Sequence, residues 1–157
     1  MPGVHELAQL NIARMREPMD SPSMADFVAN LSRINALADV SPGFVWRPLE
    51  DDEPALVERL VGPLTLVNFS VWRDIAALSD YVHKSAHADI MRRRREWFDR
   101  LEEASMVLWW VPAGHRPILE EAVDRLTRLR RQGPTPEAFT FASRFDPAYS
   151  PQPLLVP

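Results

Sequence analysis

Two histidines and four consecutive arginines stand out in the segment YVHKSAHADIMRRRREWF, which covers residues 81–98. His83 and His87 are one helical turn apart, and an imidazole here could serve as a general base, a haem ligand or a zinc ligand. Continued as one helix, the segment places His87 and Arg94 on an otherwise apolar stripe that should face the protein interior. Arg94 could there bind a substrate carboxylate or phenolate, or form a buried ion pair.

The two histidines also have simpler interpretations. His87 can be a core histidine that is satisfied by a backbone carbonyl. A zinc site would need a third ligand, and the only candidates, His5 and His115, are distant in sequence, while no glutamate base lies between His83 and His87. We therefore predict no metal site, and leave open whether His87 is a base, a haem ligand or a core residue.

The arginine run does not indicate nucleic-acid binding. Arg92, Arg93 and Arg95 fall mostly off the apolar stripe, towards water, so we interpret them as a solvated helix face. The formal net charge of -4 also argues against a general polyanion binder.

Amide side chains share one face of two predicted strands. One face of each strand is apolar, whereas the other carries Gln9 and Asn11 on the first strand and Asn68, Ser70 and Trp72 on the strand LTLVNFSVW. An unpaired buried amide costs about 1–3 kcal/mol. These amides therefore either hydrogen bond to each other and to nearby backbone, or line a ligand pocket between the sheet and the helices.

Two adjacent tryptophans occur in the segment SMVLWWVPAG. Because neighbouring side chains of a strand point to opposite faces, Trp109 and Trp110 are divided between the apolar face and the pocket side, and we expect Trp110 on the pocket side. The sequence contains no G-x-S-x-G, P-loop or G-x-G-x-x-G motif, so nothing in it favours a hydrolase, a nucleotide triphosphatase or a dinucleotide-binding protein.

The elements that carry these residues follow the split βαβ order. Strand patterns occur at residues 5–15 and in GFVWRPLE, LTLVNFSVW and SMVLWWVPAG. Helical spacing runs from Ser23 to Ala38, from Ile75 to about Arg100, and through RPILEEAVDRLTRLRRQG. The second of these helices is expected to have Asp74 as its cap and a bend near Ser85, and Pro48 places the end of GFVWRPLE at a sheet edge or a bulge. Residues 50–63 are expected to form a loop with a short helical turn. The sequence therefore predicts an α+β, ferredoxin-like βαββαβ fold with an additional C-terminal helix.

Length and composition bound the organisation of the chain. The 157 residues fit one domain, here residues 1–141, followed by a Pro-rich tail at 142–157 that we expect to lie extended over a surface. The helices of such a fold cover one face of the sheet, and a second copy of the chain is the economical cover for the other, so we predict a homodimer.

Other composition features exclude several classes of protein. The chain has no cysteine, which excludes disulfides and thiolate chemistry. No apolar run approaches the roughly 20 residues of a membrane span, and the N-terminus lacks the apolar core of a signal peptide. We therefore expect a cytoplasmic protein.

Several segments resemble a known bacterial family, domain of unknown function 3291. They are AQLNIARM, NALADVSPGFVWR, LVNFSVW, YVHKSAHADIMRRRREWF, VLWWVPAGHRP and GPTPEAFTF, and the resemblance runs from about His5 to Phe141. That family is placed in the dimeric α/β-barrel superfamily, which includes antibiotic-biosynthesis and haem-degrading monooxygenases. The resemblance implies a dimeric α/β barrel.

The same resemblance implies roles for particular residues. In the cofactor-independent quinone-forming members, an asparagine and a tryptophan four residues later help to hold a phenolic substrate, and Asn68 and Trp72 match that spacing. In the haem-binding members a histidine of the second main helix ligates iron, and His83 or His87 would correspond to it.

Three functional hypotheses follow. The first is a monooxygenase-like enzyme that acts on an aromatic or polyketide-like molecule without a cofactor, in a pocket beneath the helix of residues 75–100. His87 would be the base and Trp72 the aromatic wall; Arg94, Asn68 and Asn11 would bind anionic and hydroxyl groups, and His83 and Trp110 would complete the site. The second places haem in the same pocket with His87 as axial ligand. The third is a carrier or sensor of small ligands without catalytic activity.

Overall fold

The computed structural model describes residues 4–84 and 86–147, and this part of the chain forms an antiparallel sheet with helices on both faces. The strands are β1 (His5–Met15), β2 (Phe44–Trp46), β3 (Thr65–Trp72), β4 (Phe98–Asp99) and β5 (Met106–Pro112). The helices are α1 (Ala25–Asp39), α2 (Pro54–Val61), α3 (Ile75–Lys84), α4 (Ala86–Arg92), α5 (Arg94–Trp97) and α6 (Leu119–Gln132). A short 3-10 turn, Pro22–Met24, precedes α1.

Strand β1 is the centre of the sheet. It pairs with β3 from Leu7↔Trp72 to Arg14↔Thr65, and on its other side with β5 from His5↔Pro112. The short strand β4 pairs with the end of β1, and β2 pairs with the outer side of β3. The four main strands thus lie in the order β2-β3-β1-β5 and all pairs are antiparallel, which confirms the predicted ferredoxin-like α+β fold.

The first apolar layer lies between the sheet and α6. Even-numbered residues of β1, such as Ala8 and Leu10, point to this face together with Val71 and Trp109, all of them fully buried. The residues of α6 that cover them are Leu119, Ala122, Leu126 and Leu129. Side chains of α2 pack at the margin of the same layer.

The covering of this face corrects one expectation. A second copy was expected to shield the face opposite the helices of the βαββαβ unit, but the additional C-terminal helix α6 of the same chain shields it. The argument for a homodimer therefore loses its physical basis, and the oligomeric state stays a prediction.

The second apolar layer lies between the sheet and helices α1, α3 and α4. Leu7, Trp72 and Leu108 of the sheet pack here against Ile34 of α1 and Leu78 of α3. None of the helices in the described part of the chain is long and apolar enough to cross a membrane.

The helix that was predicted from Ile75 to about Arg100 ends early, because a turn follows α4; the bend expected near Ser85 lies outside the described residues. Asp74 Oδ1 accepts a hydrogen bond of 2.9 Å from the Ala77 N–H, which confirms the predicted cap at its start. The turn after α4 is at Arg93, whose N–H donates to Ile90 O at 3.0 Å. After α5 the chain becomes extended, because Phe98 pairs with Met15 of β1.

Two further predictions needed correction around β2. This strand has only three residues, because a bulge between Phe44 and Trp46 disturbs the ladder and Pro48, which has no N–H, follows. The segment expected to hold a short helical turn instead forms the eight-residue helix α2, with Pro54 in its first turn. Gly43 (φ +83°) precedes β2, and a Cβ atom there would lie 2.4 Å from Ala77 Cβ.

Burial of α6 predicts a large difference between two leucine substitutions. Leu126 is 2% exposed beneath the sheet, so Leu126→Ala should lower the free energy of unfolding by about 2–5 kcal/mol through lost burial and a residual cavity. Leu49 is 86% exposed, and Leu49→Ala should change it by less than about 0.5 kcal/mol. Urea unfolding of both variants measures this, and equal effects would contradict the packing of α6.

Candidate functional site

A cleft of about 540 Å³ opens at the edge of the sheet beside β3. It is bounded by α1, the outer side of β3, the segment 47–54 and α2. Its apolar lining includes Met15, Met19, Leu31, Leu64 and Leu66. Its polar lining includes Asn35, Arg47 and Asn68. A volume in this range is typical of small-molecule sites.

The backbone of β3 also contributes to the cleft. The Met15 N–H donates to Leu64 O at 2.7 Å, so the alternation of the antiparallel ladder turns the backbone groups of Leu66 and Asn68 towards β1. Val67 and Phe69 then direct their N–H and C=O groups outwards. β2 reaches only as far as Val71, and no strand within the described residues pairs with the outer edge of β3 beyond that point.

Asn68 is an exposed polar residue of the cleft lining, and Gln9 holds its side chain. Gln9 is 4% exposed on β1, and its Nε2 donates to Asn68 Oδ1 at 2.9 Å and to Ser70 Oγ at 2.8 Å. The same nitrogen lies 3.5 Å from the backbone oxygen of Asn68. The sequence left open whether the amides bond to one another or line a pocket, and Asn68 does both.

A row of aromatic residues continues from this amide pair into the core. Trp72 Nε1 donates to Ser70 Oγ at 2.8 Å, and the indole packs between Phe44 (5.3 Å between ring centroids) and Tyr81 (5.1 Å, interplanar angle 30°). Tyr81 Oη donates to Ile34 O at 3.0 Å. Burial raises the pKa of Tyr81 to about 12, although the nearby Arg47 guanidinium opposes part of this rise.

The space beneath α3 is therefore filled, and the pocket is not where the sequence predicted it. Trp72 is 1% exposed in the core and is not among the residues that line the cleft. His87 packs against Tyr81 with 5.2 Å between ring centroids. Burial lowers the pKa of His87, and a hydrogen bond with the Val82 backbone only partly offsets this. His87 is thus a neutral histidine of the interior and does not line the cleft.

The expectation that Arg94 faces the sheet is wrong. The turn at Arg93 ends the helical phase that His87 and Arg94 would have shared, and Arg94 is exposed beside Arg92 and Arg95 in a shallow surface depression. Arg92 pairs with Asp89, as expected of a solvated face.

Arg93 is the inward member of the arginine run. It bonds to Glu96 at 2.8 Å and to Asp26 of α1 at 3.0 Å, and its guanidinium lies 4.7 Å from the Trp97 ring centroid. This arginine joins α5 to α1 and does not line the cleft.

The other predicted site residues are dispersed. Asn11 is half-buried and lies directly opposite Asn68 in the ladder, but does not line the cleft. His83 is exposed, with Nδ1 3.0 Å from Ser79 O and its ring 5.5 Å from Phe141. Trp110 shares the face of Gln9, as expected, but lies on the far side of β1, where its Nε1 donates to Phe145 O at 2.8 Å. The rest of the predicted tail, from residue 148, lies outside the described residues.

The charges around the cleft are mainly negative. Arg47 forms a two-pronged ion pair with Asp39 at 2.7 and 3.0 Å, which lowers the pKa of Asp39. Four carboxylates belong to the lining: Glu50, Asp51, Asp52 and Glu58. Burial, helped by Glu120 and Asp51, raises the pKa of Asp52. An anionic ligand would therefore meet repulsion here.

Sequence reasoning missed several residues of this arrangement. Gln9 and Ser70 were predicted on the correct strand face but were given no role. Each lies two residues from a predicted site residue, Asn11 and Asn68 respectively, and points to the same side of the sheet. Arg47 and Asn35 carried no signal, because their position depends on how the segment after β2 folds over α1.

Comparison with known proteins gives a family and three similar folds. The family model described as domain of unknown function (DUF3291) matches residues 6–153. No curated protein matches the chain.

Three solved structures each cover 74% of this chain. The NE2512 protein of unknown function from Nitrosomonas europaea is 16% identical, with 96% of its own chain covered and a TM-score of 0.46. SnoaB from Streptomyces nogalater, described as a cofactor-independent oxygenase, is 18% identical, with 98% covered and a TM-score of 0.45. PA3566 from Pseudomonas aeruginosa is 13% identical, with 98% covered and a TM-score of 0.44.

Burial of Tyr81 predicts a loss of stability at high pH. The folded state retains the phenol proton up to a pKa of about 12, above the ordinary tyrosine value of 10.0, so between these pH values the folded state binds more protons than the unfolded state. The stability that Tyr81 contributes is complete below pH 10.0 and declines as the pH rises towards about 12. Urea midpoints measured across this interval should fall more steeply for the native chain than for Tyr81→Phe. Parallel curves would contradict the burial of the phenol.

Proposed function

We propose that this chain, which belongs to the family described as domain of unknown function (DUF3291), is an enzyme whose small-molecule substrate binds in the cleft beside β3. The observation that carries the proposal is the Asn68 amide. It is exposed in the cleft, yet its oxygen is held by the buried Gln9 at 2.9 Å. A polar group fixed in this way within an apolar cleft orients a ligand at little entropic cost.

The lining supports a substrate that is neutral and largely apolar. Leucine and methionine side chains form much of the wall, while the four carboxylates of the lining disfavour carboxylates and phosphates as ligands. Arg47 is engaged by Asp39, and Arg94, the cation expected from the sequence, is elsewhere. A carbonyl oxygen on an aromatic or polyketide-like skeleton would suit the amide of Asn68 and the open backbone of Val67.

The reaction that we propose is the monooxygenation implied by the family resemblance. An activated CH₂ group between aromatic rings becomes C=O; one atom of dioxygen enters the product and the other leaves as water, so the substrate supplies the electrons. The step begins with removal of a proton. His87 was expected to accept it but does not line the cleft, and Asp52, a lining carboxylate whose pKa is raised, takes this role in the proposal.

The haem alternative fits these residues poorly. No histidine lines the cleft, His87 is packed against Tyr81, and His83 is at the surface beside Ser79. An axial histidine would have to come from the filled space beneath α3. We therefore derive no step through haem.

Binding of matched probes tests the role of Asn68. Acetylnaphthalene and isopropenylnaphthalene have nearly the same shape, but only the first offers a carbonyl oxygen. Asn68→Ala should weaken binding of the ketone about tenfold and leave that of the hydrocarbon almost unchanged, because one hydrogen bond is lost. Asn30→Ala is the control, since Asn30 lies on α1 and does not line the cleft. Titration calorimetry measures both, and equal losses for the two probes would refute the proposed contact.

Turnover separates an enzyme from a carrier. With anthrone as substrate, the native chain should consume oxygen and form the quinone, while Asp52→Asn should reduce the rate at least about a hundredfold and preserve binding, because the general base is lost. Glu53→Gln is the control, as Glu53 is exposed and does not line the cleft. Binding of anthrone without any product from the native chain would favour the carrier hypothesis.

A further inference from the structure

We infer that Gln9 is a specificity-determining positioning residue: it sets which end of the Asn68 amide faces the cleft. With Gln9 present, the cleft offers a hydrogen-bond donor and selects ligands with an acceptor. The inference rests on the proposed function, in that it takes the cleft as a ligand site. It adds a residue outside the cleft lining that controls what the site recognises.

The backbone oxygen of Asn68 determines which partner donates in the hydrogen bond between the Gln9 and Asn68 side chains. A backbone carbonyl can only accept, and the backbone oxygen of Asn68 lies 3.5 Å from the terminal atom of Gln9 that also contacts Asn68 Oδ1 and Ser70 Oγ. An oxygen of Gln9 in that position would face the carbonyl with like charge. The atom is therefore the nitrogen Nε2, and its two hydrogens serve Asn68 Oδ1 and Ser70 Oγ.

The orientation of Asn68 follows from that of Gln9. Since Nε2 can only donate, it binds the oxygen of the Asn68 amide and turns Nδ2 away from β1. No residue in the described part of the chain accepts a hydrogen bond from Asn68 Nδ2, and the side chain is exposed to the cleft. A ligand acceptor is thus the natural partner of Nδ2.

Gln9 is itself held from two directions. The register of β1 between β3 and β5 fixes the face to which it points, and Ser70 Oγ is held in turn by the donor Trp72 Nε1 at 2.8 Å. Because Gln9 is 4% exposed, it acts on a ligand only through Asn68. A substitution that reverses its hydrogen-bonding character should therefore reverse that of Asn68.

The test is Gln9→Glu, assayed with three uncharged probes at about pH 9, where the carboxyl is ionised even though burial raises its pKa. A carboxylate only accepts, so Asn68 should turn Nδ2 towards residue 9 and present Oδ1 to the cleft. The native chain should bind acetylnaphthalene, an acceptor, about tenfold more tightly than isopropenylnaphthalene, its hydrocarbon isostere. In Gln9→Glu this preference should vanish, and naphthylamine, a donor, should bind about tenfold more tightly than the hydrocarbon.

A second variant guards against misfolding of the first. Gln9→Met keeps the length of the side chain but removes both hydrogen-bonding functions, so Asn68 can present either end. Its acceptor preference should fall to within about twofold of unity without inverting. A merely structural role of Gln9 would instead weaken all three probes by the same factor in both variants, and that result would overturn the inference.

The outcomes also separate this inference from the proposed function. If Asn68→Ala weakens the ketone but both Gln9 variants retain the native preference, the cleft is a ligand site and only the role of Gln9 is refuted. If none of the probes responds to Asn68→Ala, the cleft proposal fails and the inference fails with it. Loss of acceptor preference in Gln9→Met with retained hydrocarbon binding supports both.

Discussion

One buried amide determines the arrangement of the candidate site. β1 is paired on both sides, so the register prevents Gln9 from leaving the face to which it points. A buried amide without partners would cost about 1–3 kcal/mol. Asn68 and Ser70 of β3 supply the partners, and the Trp72 indole bonds to the same hydroxyl. The polar side chains of β3 on this face thus serve as hydrogen-bond partners of the single side chain Gln9 on β1.

Features that depend on local periodicity could be predicted from the sequence. The alternation in β1 and β3 gave their bounds to within a residue and the face that carries the amides, and Asp74 marked the start of α3. The order of the elements then limited the fold to one topology. Asn68 both accepts a hydrogen bond from the buried Gln9 and lines the cleft. This double role could not be predicted from periodicity, because it depends on contacts between strands.

Features that depend on interruptions of periodicity were missed. Arg94 shares a face with His87 only if the helix is continuous, and the turn at Arg93 removes that condition. The cleft exists because β2 stops after three residues and leaves part of the outer edge of β3 without a neighbouring strand. No strong local signal marks the turn at Arg93. Pro48 follows β2, but the sequence indicated only that this proline lies at a sheet edge or in a bulge. The pocket was therefore expected under the wrong helix.

The position of α6 has a consequence for synthesis of the chain. Trp109, Leu10 and Val71 are buried only once Leu119–Gln132 has formed its helix, and the edge of β5 pairs with Phe139 later still. A ribosome-bound chain that ends before this point would display one whole apolar side of the sheet, a surface that favours aggregation. Folding of the nascent sheet is therefore expected to be completed only after α6 has left the ribosome.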